Sequence, residues 1–296
     1  MNATPEDIPA GLGEIETGRG GLAKLVLTGP GGSAEIYLHG AHVTSFVPAD
    51  GDEMLWLSGS SWFEKGKPIR GGVPICFPWF GPCETNPDLP SHGFARLCQW
   101  SVESVVAEGD TVSATLGLDA NECTRSYWDF DFQLRYRISV RGDGSLELAL
   151  TTQNTDQKAF VITEALHTYF GVVDVRQVEI TGLAGAEYLD KMDSAARKTQ
   201  HGAIRFTAET DRVYLNTTDD CILSDPAAER QIRMTKDGSD STVVWNPWIG
   251  KAGRMEDFGD DEWPGMVCIE TANAHDNAVT IQPGQLHTIS TTLSRG

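Results

Sequence analysis

The chain predicts an all-β protein, a large antiparallel β-sandwich, on three observations. Phe130, Phe132, Leu134, Tyr136, Ile138 and Val140 alternate strictly with Asp131, Gln133, Arg135, Arg137 and Ser139, the period of a strand with one buried face. Segments of this kind recur roughly every 8–12 residues with turn chemistry between them. No stretch of three turns or more carries the spacing of an amphipathic helix. Leu183 to Thr199 comes nearest, but its apolar spacing is irregular and Gly185 interrupts it.

Taken in order, residues 1–20 are polar and Gly-rich and predict an N-terminal arm laid over the domain. The Gly-x-Gly runs at Gly11 and Gly18 lack a following helix, so they are not a phosphate loop. No linker-like break follows, so 21–296 reads as a single β-sandwich domain. A short strand is expected around Leu25 to Leu27, then a hairpin from Ala34–Leu38 to His42–Val47 with His39-Gly40-Ala41 at its turn. Further hairpins are expected from Trp100–Val106 to Thr111–Leu118, from the alternating strand through Arg141-Gly142-Asp143-Gly144 to Leu146–Leu150, and from Ala278–Ile281 to His287–Leu293 around Pro283-Gly284.

Composition narrows the function classes. Asp plus Glu outnumber Lys plus Arg 42 to 23, a formal charge of −19. Such a chain repels phosphate backbones and anionic lipid, so neither nucleic acid nor a membrane surface is an expected partner. The N-terminus has no apolar core of a signal peptide and no run approaches the ~18 residues of a membrane span. The six cysteines include no Cys-x-x-Cys pair, which reads as reduced thiols in a cytoplasmic protein. No His-Cys-carboxylate cluster has the spacing of a zinc site, and no metal is expected.

One stretch departs from scaffold. Pro68 to Trp100 contains six prolines before Ser91 yet carries Val73, Ile75, Phe77, Trp79 and Phe80, too apolar for a solvated linker. A proline-stiffened apolar loop is usually packed so that it can hold something. Arg70 beside Gly71 and Gly72, and His92 and Arg96 close to Gly93, suit an anion approaching the backbone. The plainer alternative is a surface arginine pair over a packed loop. Three further segments resist the scaffold reading: Thr163 to Phe170 with His167, Thr210 to Tyr214 with Asp211, and a third that runs from Val243 to Trp248, passes an acidic loop from Asp257 to Glu262 and enters Met266 to Glu270, where Glu270 ends an apolar strand. Each alone is more often structural.

Together these segments resemble the glucose-6-phosphate 1-epimerase (hexose-6-phosphate mutarotase) branch of the aldose 1-epimerase family. The matching motifs are Phe63-Glu64-x-Gly66-Lys67-Pro68-Ile69-Arg70-Gly71-Gly72-Val73-Pro74, His92-Gly93-Phe94-Ala95-Arg96, Ala165-Leu166-His167-Thr168-Tyr169-Phe170, Asp211-Arg212-Val213-Tyr214, Val244-Trp245-Asn246-Pro247-Trp248 and Cys268-Ile269-Glu270. They run in family order from about residue 33 to the C-terminus. Ser91 departs from relatives with Gln before His-Gly-Phe-Ala-Arg, and Thr271 from several with Pro after the Glu.

The resemblance implies a galactose mutarotase-like supersandwich and an isomerase that interconverts the α and β anomers of an aldohexose 6-phosphate without metal or organic cofactor. It matches His167 and Glu270 to the proton-transfer pair, Arg70 and Arg96 to phosphate, and Asp211 and His92 to the sugar. Its partner is then a small-molecule hexose 6-phosphate, and a monomer is expected. The chemistry suits these residues: Glu270 as carboxylate takes the O1 proton while His167 as imidazolium protonates the ring oxygen, and the roles reverse after rotation about C1–C2. Separated pKa values and a substrate-sized gap between the two are expected. A non-catalytic sugar-phosphate sensor on the same fold would lack one of the pair. A mutarotase for plain sugars would need no arginine pair.

Overall fold

The structure, a computed structural model, describes residues 8–296; residues 1–7 of the expected arm lie outside the described residues. Strands, paired antiparallel, are the dominant regular structure of the described residues, and the two α-helices, Glu122–Tyr127 and Trp248–Ala252, span six and five residues. Two eight-stranded sheets carry most of the chain. The first is built from the half-buried strands legible in the sequence: Ser101–Glu108, Thr111–Asp119, Phe132–Val140 and Leu146–Asn154 pair in succession. It continues through Leu286–Arg295 and Arg230–Asp237 to Cys221–Asp225 and Glu179–Thr181. The alternating strand starts two residues later than the pattern, because the Asp131 N–H leaves the ladder for Asp156 Oδ2 at 2.9 Å.

The second sheet carries the site. Its order is Ala196–Thr199, Glu187–Asp190, Thr210–Leu215, Ser241–Asn246, Met266–Asn273, Glu164–Leu166, Ile75–Cys76, with Tyr169–Gly171 also paired to Met266–Asn273. Ser241–Asn246 and Met266–Asn273 are buried at every position. With no solvated face, such strands show no alternation in sequence. A four-stranded meander, Gly13–Thr17 through His42–Pro48, contains the expected Gly32–Tyr37 and His42–Pro48 hairpin. Buried residues of all three sheets join in one apolar cluster.

Three expectations need correction, while the rejection of a helix over Leu183–Thr199 stands. Gly13–Thr17, read as part of an arm, is a strand paired with Ala23–Gly29. Leu183–Thr199 contains a hairpin, Glu187–Asp190 with Ala196–Thr199, and no α-helix. The Pro283-Gly284 segment turns the chain, but the flanking strands do not pair with each other: Val279–Ile281 joins Phe160–Ile162, while Leu286–Arg295 lies between Arg230–Asp237 and Leu146–Asn154. Glu270 does not end its strand. It sits inside Met266–Asn273, between neighbours on both sides.

Candidate active site

Register builds the floor of the site. Asp211 lies opposite Trp245, Trp245 opposite Cys268, and Val243 opposite Glu270, so the two-residue period puts Asp211, Trp245, Val243 and Glu270 on one face of the sheet. His167 follows Glu164–Leu166 directly, and its N–H donates to the Pro74 carbonyl at 3.1 Å. The proline-rich loop closes over this face. His92 is left-handed at φ 64° and Gly93 at φ 71°, where a Cβ would stand 1.9 Å from the Phe77 oxygen; glycine is required for that approach.

All six residues singled out in the sequence line one cavity of about 280 Å³. His167 and Glu270 meet directly: Nε2 lies 3.3 Å from Oε1, with no substrate-sized gap between them. The reason is register, which sets Glu270 beside the segment that follows Leu166. His92 Nδ1 accepts the Gly81 N–H at 3.2 Å, so its proton belongs on Nε2. Arg70 donates from Nε to Asp257 Oδ2 at 3.1 Å and from Nη1 to the Tyr169 hydroxyl at 2.9 Å; Nη2 also lies 3.1 Å from Asp257 Oδ2. Each terminal nitrogen keeps at least one further N–H. Arg96 donates from Nη2 to the Ser91 carbonyl at 2.8 Å, and its buried Nε has no partner among the described residues. Asp211 is held by Lys191 at 3.2 Å and by Lys251 at 3.9 Å.

Burial shifts the pair toward its uncharged form. It drives Glu270 well above the usual carboxylate range, against the pull of Lys191, and drives His167 well below the usual imidazole range, with Arg96 and Arg70 adding to the effect. The expected carboxylate and imidazolium are therefore not what burial favours. The neutral pair, Glu270 protonated and His167 neutral, holds the same single proton. Burial also pulls Arg70 down, but Tyr169 and Asp257 outweigh it; Arg96 makes no ion pair with a carboxylate among the described residues, and burial lowers it.

Sequence reasoning missed several lining residues. Tyr169 and Trp245 stood inside quoted motifs without a role, and Phe80 stood in the loop only as apolar ballast. Lys191 and Lys251 carried no signal at all, because an exposed-looking lysine in a charged stretch reads as surface. Lys191 reaches the cavity from the 3-10 turn that follows Glu187–Asp190, and Lys251 from the short helix Trp248–Ala252 that follows Ser241–Asn246.

A family model for aldose 1-epimerase matches residues 23–294. The chain belongs to the aldose 1-epimerase family. It is 39% identical over 287 residues to a protein of Cenchrus ciliaris provisionally named glucose-6-phosphate 1-epimerase, covering 94% of this chain and 86% of that one. A protein of Escherichia coli K12 under the same provisional name is 38% identical over 254 residues, 86% of this chain and 84% of its own. A crystal structure from Salmonella typhimurium, provisionally titled a mutarotase, superposes with a TM-score of 0.90 at 32% identity, covering 98% of this chain and 95% of that one. The mutarotase-like fold expected from the sequence is thus the fold observed, and members of this family are isomerases.

Proposed function

We propose that this chain interconverts the α and β anomers of a hexose 6-phosphate, with residues 21–296 as its catalytic domain. The observation that carries the reading is a single cavity holding a directly paired His167 and Glu270 together with two arginines that keep free donors, on a protein of formal charge −19. The relatives' names support the same substrate class.

His167 and Glu270 share one transferable proton. Ring opening begins from the charged pair: Glu270 takes the O1 proton as the C1–O5 bond breaks, and His167 protonates O5. The aldehyde then faces a neutral pair. After rotation about C1–C2, His167 takes the O5 proton back while O5 attacks the other face of C1, and Glu270 returns its proton to O1. The neutral pair favoured by burial is the one present while the sugar is open. Arg70 and Arg96 grip the phosphate and hold C1 in register, while Asp211 and the Nε2–H of His92 meet sugar hydroxyls.

Saturation-transfer NMR on glucose 6-phosphate and on glucose tests this. Each charge-assisted bond to phosphate contributes about 1.5–3 kcal/mol, so Arg96→Ala and Arg70→Ala should each lower kcat/KM for glucose 6-phosphate by roughly 10–100-fold. The loss on glucose should be much smaller. Equal losses on both sugars would make the arginines structural and remove the phosphate from the reading.

A further inference from the structure

His167 lacks the hydrogen bond that normally orients a working imidazole. Its Nε2 faces Glu270, while its Nδ1 is buried without a partner among the described residues. What fixes the ring is packing. The Tyr169 ring lies nearly parallel to it, with centroids 4.7 Å apart and planes 13° from coincidence. His92 and Trp245 touch only by their edges, at 5.7 and 6.1 Å. Tyr169 is itself 1% exposed, and its hydroxyl accepts the Arg70 Nη1 donor at 2.9 Å. Burial raises its phenol, so the O–H stays protonated and is left to donate within the cavity that Tyr169 lines. One side chain therefore joins a proposed phosphate ligand to the ring of the proposed acid.

We propose that Tyr169 is a positioning residue that couples a phosphate dianion held on Arg70 to the orientation of His167, so that filling the phosphate site raises turnover as well as affinity. This rests on the phosphate reading above. A dianion on Arg70 receives the Tyr169 O–H as well, and fixing the phenol fixes the imidazole stacked on it. Binding energy from a remote, unreacting group is then spent at the reacting centre.

The test supplies sugar and dianion as separate pieces. Anomer exchange of glucose is followed by saturation-transfer NMR with and without phosphite dianion, subtracting the rate measured with Glu270→Gln protein to remove buffer catalysis. Competition of phosphite against glucose 6-phosphate is measured alongside. In the wild-type protein, phosphite should compete and should also accelerate glucose exchange by about tenfold, within the usual range of coupling between two sites. In Tyr169→Phe, which keeps the stacked ring and loses the hydroxyl, competition should persist and the acceleration should vanish. Phosphite that competes but never accelerates would leave the phosphate site standing and overturn the coupling. Acceleration undiminished in folded Tyr169→Phe would overturn the role of Tyr169. Phosphite that neither competes nor accelerates would remove the phosphate reading and this inference with it.

Discussion

Glu270 is 1% exposed, and its Oε2 has no hydrogen-bond partner among the described residues. Leaving a buried oxygen unsatisfied costs about 1–3 kcal/mol, so Glu270 does not serve the stability of the fold. Its folded pKa is raised above the ordinary 4.5. A carboxyl shifted that way contributes stability that is present below pH 4.5 and lost as pH rises through the folded value. Near neutral pH the residue therefore weakens the fold. Glu270→Gln should lower catalysed anomer exchange by roughly 10²–10⁴-fold, the usual loss of acid–base help. At pH 7.5 its Tm should equal or exceed that of the wild type. A calorimetric scan in which Tm dropped by several degrees would show that Glu270 holds structure instead.

At the scale of elements, the strand that delivers His167 is pinned from behind. Glu164, fully buried, stands opposite Asn273 in the ladder and accepts from its amide at 3.1 Å. His287, from Leu286–Arg295 of the other large sheet, reaches the same oxygen at 2.7 Å. Burial pulls His287 down, but the hydrogen bond and charge of Glu164 outweigh it and its pKa is raised above 6.5. The sign follows: a raised imidazole contributes stability fully present below pH 6.5 and lost as pH climbs through its folded value. Wild-type Tm should fall between pH 6 and pH 8.5 by more than that of His287→Gln, compared on matched scans. Parallel curves would remove this pair from the stability of the fold. The acidic loop near the site has a similar holding role. Asp257 engages Arg70, while Glu262 accepts from Ser58 Oγ at 2.7 Å and from the Gly59 N–H at 2.8 Å, locking the loop that carries Arg70.

Across the whole molecule, a net charge of −19 surrounds a cavity lined by Arg70, Arg96, Lys191 and Lys251. The basic side chains of the cavity are thus a local feature set inside a global acidic field. No helix of the described residues is long and apolar enough to cross a membrane. Among the described residues, no group of three or more His, Cys, Asp or Glu side chains is arranged to hold a metal ion. With proton transfer assigned to two side chains, exhaustive chelation should leave anomer exchange unchanged. Activity that disappeared on chelation and returned with an added divalent cation would count against the mechanism.

The sequence by itself determined the fold class and the candidate residues. Half-buried strands such as Phe132–Val140 write their period into the chain, because one face meets water and the other does not. The ordered motifs then named His167, Glu270, Arg70, Arg96, His92 and Asp211, and all six line one cavity. Only the tertiary structure decided how they meet. Met266–Asn273 is buried throughout, so nothing in its pattern revealed that Glu270 sits mid-strand or which neighbours it pairs with. The crossing of Val279–Ile281 and Leu286–Arg295 into different sheets is likewise a long-range choice, invisible to the turn between them. Lys191 enters the site from a hairpin whose spacing suggested nothing. Periodicity reports which face of a segment is wet. Partners, contact distances and the charge state of a buried pair depend on what the rest of the chain packs around them.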